Sequence, residues 1–316
     1  MDPAVIVDYA MYPELTARLF DTPEPPLTEF HSPAARARLA RTEILVTGWG
    51  CPVLDGGALD AAPNLKAVVH AAGSIKGHVT PEVFARGVVV SSAADANAIP
   101  VAEFTLAMIL LANKAVFRLA REYGAARRDL GLLTQDNDLG NYRRTVGVVG
   151  ASRVGRRVIE LLRPFDLEVL VADPYADDLV THDLDEVIGR SDVVSIHAPA
   201  TPETYRLIGA ERLRAMKDGA TLINTARGSL VDEEALVEEL RTGRIFAILD
   251  VTDPEPPAPG SPLWELPNVV LTPHVAGALG GEVGRLGQAA LDEVARLTRG
   301  VPLRYEVDPR VLSRQA

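Results

Sequence analysis

A single cysteine, Cys51, stands in 316 residues. It can neither close an internal disulfide nor build a multi-cysteine metal site, which fits a reducing compartment and makes the cytoplasm the expected location. Basic residues are short as well: 32 Lys and Arg face 43 Asp and Glu, a net charge of −11. The overall field repels polyanions, so nucleic acid and anionic membrane surfaces are not expected partners, and an anionic substrate must meet a local basic site. Long apolar runs are missing too. The longest, Phe104–Ala112, is bounded by Glu103 and Asn113 and falls short of the roughly 18 residues a membrane span needs. Met1-Asp2-Pro3 carries no basic leader or cleavage pattern, so the start is expected to be mature protein. What is present, 47% apolar and 24% charged residues, is an ordinary globular composition, and the length suits two domains of about 150 residues.

Strand-like runs at 44–47, 66–70 and 88–91 alternate with helical or Pro/Gly-rich segments and predict a small α/β unit. From Asn97 a long helix is predicted, with Pro100 near its start, Glu103 in its first turn and apolar positions continuing through Phe117 and Leu119. Residues 126–144, with Gly131, Asp136-Asn137-Asp138 and Gly140, are polar and aperiodic and read as an extended loop or arm. Buried-strand candidates then begin at Thr145, Glu168, Asp192, Thr221, Ile245 and Val269, at intervals of 23, 24, 29, 24 and 24 residues. Helical patterns fall between them at Arg153–Leu162, after the Asp183-x-x-Glu186 cap signal, and at Asp232–Leu240. Parallel neighbours need connections of about a dozen residues, so this rhythm predicts a parallel sheet wound on both faces. A last helix is expected near Glu282–Thr298, and Pro-rich loops at 23–26 and 254–262.

Several strand ends carry residues with chemistry. Thr145-Val-Gly-Val-Val-Gly150-Ala-Ser152-Arg-Val-Gly155 runs a strand into a glycine-marked turn and a helix, the arrangement that offers a helix N-terminus to a pyrophosphate. Gly150 and Gly155 meet the G-x-G-x-x-G template, but Ser152 replaces its middle glycine and either weakens the fit or supplies a phosphate hydrogen bond. Asp173 ends the next strand 23 residues after Gly150, where a carboxylate takes the adenosine ribose hydroxyls and repels a 2′-phosphate, favouring NAD over NADP. Beyond later strands come Arg227-Gly228, then Asp250 and Glu255, then His274 and Gly277. A guanidinium can grip a carboxylate with two parallel hydrogen bonds, and a carboxylate beside an imidazole orients it as a general acid. Each also has a plain reading as a surface loop residue; the combination is what points to a site.

With Val101-Ala-Glu103, Asp192-Val-Val-Ser-Ile-His197-Ala-Pro199, Ile223-Asn-Thr-Ala-Arg227-Gly228, Leu249-Asp250-Val251, Glu255-Pro256 and Pro273-His274 in order, the chain resembles the D-isomer-specific 2-hydroxyacid dehydrogenases from about Leu65 to Gly277. The resemblance implies a doubly wound parallel-sheet (Rossmann) cofactor domain at 99–288. It also implies a smaller, discontinuous, flavodoxin-like α/β substrate domain at 1–98 with 289–316, clasped around the first and closing on the ligand. It implies NAD as cofactor, held by Gly150, Ser152, Arg153, Val154, Gly155, Asp173, His197, Pro199, Thr225, Ala226, Asp250 and Gly277. Arg227, Glu255 and His274 are implied as catalytic, a small 2-oxo or 2-hydroxy acid as substrate, and a homodimer as the assembly, the segment after the long helix embracing the partner.

Departures from the family pattern lie in the substrate loop, His70-Ala-Ala-Gly73-Ser74-Ile-Lys76-Gly77-His78, where the family's G-x-G-x-D core has lost its aspartate. Backbone N–H groups near Gly73 and Ser74 can still take the substrate carboxylate, while Lys76 either binds a second anionic group or points into solvent. Trp49 either walls the pocket or packs. An end at Ala316, without a further regulatory segment, is expected to point away from serine biosynthesis. Other readings are a non-catalytic NAD-sensing scaffold of the same fold and, more remotely, phosphite oxidation. Formate oxidation is disfavoured because Glu255 stands where formate dehydrogenases carry glutamine.

Overall fold

A computed structural model describes residues 5–7, 26–132 and 139–310. Met1-Asp2-Pro3, the Asp136-Asn137-Asp138 part of the expected arm, most of the first Pro-rich loop and the last residues of the tail lie outside them. The chain divides into two compact units, Met1–Ala98 with Ala278–Gln315, and Ile99–Gly277.

Among the described residues the first unit holds four strands, β1 (Val5–Val7), β2 (Ile44–Thr47), β3 (Ala67–His70) and β4 (Val89–Ser92), all parallel and in sequential order. Among the described residues, three helices fall between them: α1 (Pro33–Leu39), α2 (Gly56–Ala61) and α3 (Pro81–Ala85). The reversal of strand order that marks a flavodoxin-like sheet is not among the described residues. Alternation sorts the side chains by face: Leu45, Val68 and Val90 enter one cluster, Ile44, Val46, Ala67 and Val69 another.

The second unit opens on α4 (Ala94–Asn113), whose first residues still belong to the first unit. It begins three residues before the expected start at Asn97, so Pro100 lies inside the helix rather than at its opening. The apolar run at 104–112 is thus part of a 20-residue helix, long and apolar enough by length and composition to cross a membrane. Its Ala102 and Ile109 lie fully buried in the core of this unit, and its Thr105 hydroxyl meets that of Thr225 at 3.0 Å. The helix does not run on to Leu119. Asn113 ends it, Ala115 turns left-handed at φ 48°, and α5 (Val116–Ala126) starts afresh. The break comes from distant residues: Gly140 N–H donates to the Asn113 carbonyl, and the Asn141 amide to that of Leu110, so the last-turn carbonyls find partners outside the helix.

Among the described residues of the second unit there are six strands, β5 (Thr145–Val149), β6 (Glu168–Ala172), β7 (Val193–Ile196), β8 (Thr221–Asn224), β9 (Phe246–Leu249) and β10 (Val269–Leu271). They form one parallel sheet in the order β10-β9-β8-β7-β5-β6. The helices α6 (Arg153–Leu162), α7 (Leu184–Arg190), α8 (Ala210–Ala215) and α9 (Glu233–Arg241) wind over both faces. Val146, Val148, Ile223 and Ile248 meet α4 and α6 on one face, while Val149, Leu222, Ala247 and Leu249 meet α7, α8 and α9 on the other. The strand order reverses between β5 and β7, and in such sheets ligands bind beyond the carboxyl ends of the strands at that reversal.

The last helix, α10 (Val283–Thr298), returns to the first unit. The second crossing falls at Gly277/Ala278 rather than at 288/289, because Ala278, Val283 and Leu286 pack with Ala93 and Trp49. Among the two readings of Trp49, packing is the one observed.

Candidate active site

The carboxyl ends of β8, β9 and β10 gather Arg227, Glu255 and His274. Asp250, just past β9, organises the last of these. It is buried, and its carboxylate accepts the Thr272 hydroxyl, Val275 N–H at 2.8 Å and Ala276 N–H at 2.9 Å, while its carbonyl takes His274 N–H at 3.0 Å. These bonds hold His274 at φ 53°, a left-handed conformation that costs a non-glycine residue about 1–3 kcal/mol and persists only where its surroundings impose it. Both Asp250 oxygens are therefore engaged by the protein, and its observed role is to shape this turn.

His274 Nδ1 lies 2.6 Å from Glu255 Oε1, and both side chains are open to solvent. An ionised carboxylate only accepts, so Nδ1 carries the proton and Nε2 is left to face a reacting atom. Glu255 sits between two cis X-Pro bonds, Asp253-Pro254 and Glu255-Pro256. Its loop is pinned against the turn after β8: a Cβ on Gly228 would stand 2.0 Å from the Thr252 carbonyl carbon. Only glycine permits that approach, which brings the Arg227 turn beside the Glu255 loop.

Asn224 fixes the Arg227 turn, donating to the Arg227 carbonyl at 2.8 Å and accepting from Ala226 N–H at 3.0 Å. Burial pulls the Arg227 pKa below the ordinary guanidinium value, and Glu255 opposes the shift. The side chain still reaches solvent, and the guanidinium stays charged.

At the reversal between β5 and β7, Gly150 adopts φ 95°, and a Cβ there would strike Ala198 N at 2.4 Å. Gly155 packs as closely, its Cβ position 2.0 Å from the Gly150 carbonyl oxygen. Ser152 is the N-cap of α6: its hydroxyl accepts Gly155 N–H at 3.5 Å, and its backbone is extended, φ −65° and ψ −176°. That conformation suits any residue, which explains how serine replaces the template's glycine. The first turn of α6 holds no acidic residue. Asp173 accepts Ala151 N–H at 2.6 Å on one oxygen and Tyr175 N–H at 2.8 Å on the other, tying the end of β6 to the glycine turn with lone pairs to spare.

Residues 106–276 match the family model for the NAD-binding domain of D-isomer-specific 2-hydroxyacid dehydrogenases. Over 275 residues the chain is 35% identical to a glyoxylate reductase of Thermofilum pendens, covering 83% of this chain and 79% of that one. It is 33% identical over 263 residues to a D-3-phosphoglycerate dehydrogenase of Archaeoglobus fulgidus, covering 81% of this chain and 49% of that one. The chain thus spans about half the length of that phosphoglycerate dehydrogenase. Among solved structures it is similar to a D-lactate dehydrogenase from Aquifex aeolicus complexed with NAD and lactic acid, with a TM-score of 0.72, 28% identity, and coverage of 94% and 96%. The chain belongs to the D-isomer-specific 2-hydroxyacid dehydrogenase family.

In this dehydrogenase family NAD is the cofactor, and the second unit has the residues for it: a left-handed glycine at the strand reversal, a helix start without acidic side chains, and a carboxylate ending β6. Other residues expected at the cofactor are placed as follows. His197 is buried beside the glycine turn, its Nε2 2.9 Å from the Ser195 hydroxyl, and burial pushes its pKa down to about 3. The Pro199 carbonyl accepts the Thr204 hydroxyl at 2.6 Å. The Val154 side chain packs into the core, and Thr225 is buried against Thr105. Arg153, Ala226 and Gly277 are partly exposed.

In the first unit, Gly73 and Ser74 are partly exposed and Lys76 is exposed, its N–H donating to the Ser74 hydroxyl at 3.4 Å. Cys51 is half-buried, with Sγ 3.3 Å from the Pro52 carbonyl. Sequence reasoning missed Asn97. Its Oδ1 accepts Ala278 N–H at 3.0 Å, and its Nδ2 lies 3.4 Å from where a Gly73 Cβ would be. It lies on the same helix six residues before Glu103, a polar position ahead of the apolar run that could have drawn notice. Asn224 and Thr272, which shape the turns carrying Arg227 and His274, were legible only as ordinary strand-end residues.

Proposed function

We propose that this protein interconverts a small 2-oxo acid and the D-2-hydroxy acid, with NAD as the redox partner. The observation that carries the reading is the 2.6 Å contact between His274 Nδ1 and Glu255, beside the charged Arg227. NAD, when bound, supplies or accepts the hydride. Gly150, Ser152, Arg153, Val154, Gly155, Asp173, His197, Pro199, Thr225, Ala226, Asp250 and Gly277 are its proposed neighbours, Asp173 just past β6 taking the ribose hydroxyls. Arg227 grips the carboxylate and carbonyl oxygen of the acid and polarises the carbonyl. His274 Nε2 gives its proton to that oxygen in reduction and takes one from the hydroxyl in oxidation. Glu255 keeps the Nδ1 proton in place through both directions. Backbone N–H groups at Gly73 and Ser74, with the Asn97 amide, are proposed donors to the substrate carboxylate, and Lys76 to a second anionic group where one is present.

NADH oxidation across hydroxypyruvate, glyoxylate, pyruvate, phosphonopyruvate and phosphohydroxypyruvate tests the reading. Turnover of at least one is expected, with the D product on chiral analysis. Tight NADH binding without any turnover would instead make the protein an NAD-sensing scaffold. Family membership and the reducing-compartment reading of Cys51 further support a cytoplasmic homodimer, which sedimentation and cell fractionation check.

A further inference from the structure

The first unit carries a polar cluster where its sheet would be expected to bury hydrocarbon. Thr47 and His70 are register partners on β2 and β3 and share a face with Leu45, Val68 and Val90. Thr47 Oγ1 lies 2.9 Å from His70 Nδ1 and 3.3 Å from His78 Nε2. The two rings are 4.4 Å apart, and none of the three residues is more than 5% exposed. Burial lowers the pKa of both imidazoles, that of His78 to about 4, and the neighbouring His78 adds to the lowering of His70. Both rings are therefore neutral at pH 7.

One hydroxyl can donate once and accept twice, so Thr47 links two neutral rings only in an ordered chain. The Ser74 backbone acts on His70 so as to favour its proton, and among the described residues His70 Nε2 makes no hydrogen bond. A proton on that nitrogen leaves Nδ1 as acceptor. The chain then runs from His78 Nε2–H to Thr47 Oγ1 and from the Thr47 hydroxyl to His70 Nδ1. His70 and His78 are the two ends of the loop that carries Gly73, Ser74 and Lys76. The Thr47 carbonyl also takes Ala71 N–H at 2.7 Å, so one residue grips the start of the loop twice and its end once.

Burying three polar groups costs more than burying three aliphatic ones unless every hydrogen bond is made. Aliphatic residues would pack the face but leave the loop free to change its backbone. We propose that Thr47, His70 and His78 are positioning residues for the substrate, a hydrogen-bonded clasp that holds the loop backbone at Gly73 and Ser74 in one orientation for the carboxylate of the acid. The inference rests on the reading that this loop takes the substrate carboxylate.

The test is the isosteric Thr47→Val substitution in the full chain, assayed with whichever 2-oxo acid the wild type reduces. KM for the acid is expected to rise about tenfold, with kcat and the NADH dissociation constant within about twofold, because the loss falls on ground-state substrate binding. Amide hydrogen exchange should quicken at 73–77 and stay unchanged in β3, and Thr47→Ser should restore both. Where Thr47→Val does not fold, His78→Leu, which removes one link at similar volume, is read by the same split. An unchanged KM in an active, folded variant overturns the clasp and leaves the dehydrogenase reading standing. A wild type that reduces no acid removes both.

Discussion

The two units use histidine in opposite ways. In the first, His70 and His78 are sealed under the sheet face, neutral, and bonded to a hydroxyl. In the second, His274 stands in solvent against a carboxylate, held by a left-handed turn that Asp250 imposes. Burial without a counter-charge makes an imidazole a fixed structural link, since protonating it inside low dielectric is costly. Exposure with a carboxylate on one nitrogen leaves the other free to exchange protons with a substrate. The same side chain is a strut in one place and a tool in the other, and the surroundings decide which.

The sharpest break of that comparison is His274→Ala. It should lower kcat by about 10² to 10⁴ while NADH still binds in a fluorescence titration. Equal loss of cofactor binding would move His274 out of the proton-transfer role. Acid acts on the other kind of histidine. The unfolded His78 protonates near its ordinary value of 6.5 and the folded one only near 4, so the unfolded state binds more protons between these. Stability is then fully present above pH 6.5 and falls, by roughly 3 kcal/mol, as pH drops toward 4. His70 shifts in the same direction. Urea unfolding at several pH values should show this slope, and His78→Phe should flatten it.

Gly228→Ala should cost about 1–3 kcal/mol, as overpacking does, and depress kcat with it, because the Arg227 turn must retreat from Thr252. A melting curve and a rate measurement decide whether the two losses travel together. The smallest expected effect is Asp173→Ala. Its ratio of NAD to NADP kcat/KM should narrow by about tenfold, the scale of one charge-assisted hydrogen bond. An unchanged ratio would leave Asp173 only as the tie between Ala151 and Tyr175.

Much of the second unit was legible because strand spacing and glycine demand are local. Predicted strand starts at Thr145, Glu168, Thr221 and Val269 are those observed, and those at Asp192 and Ile245 differ by one residue. Gly150 and Gly155 mark close approaches that no other residue tolerates. The end of α4 at Asn113 was not legible, since Gly140 and Asn141 impose it from across the chain. Ser152 looked like a defect in a template and is an ordinary helix cap. Asp250 is bonded on both oxygens to the turn that carries His274, a role its position after β9 did not announce.

Sequence by itself determined the alternation of strands and helices, the family, and the presence of a guanidinium, a carboxylate and an imidazole after successive strands, because period, spacing and side-chain type are properties of short segments. Tertiary structure alone decided that Glu255 meets His274, that Gly228 lets the Arg227 turn approach, and that Thr47 joins two histidines. Those depend on which strand ends become neighbours, and a parallel sheet sets that through crossovers far longer than any local pattern.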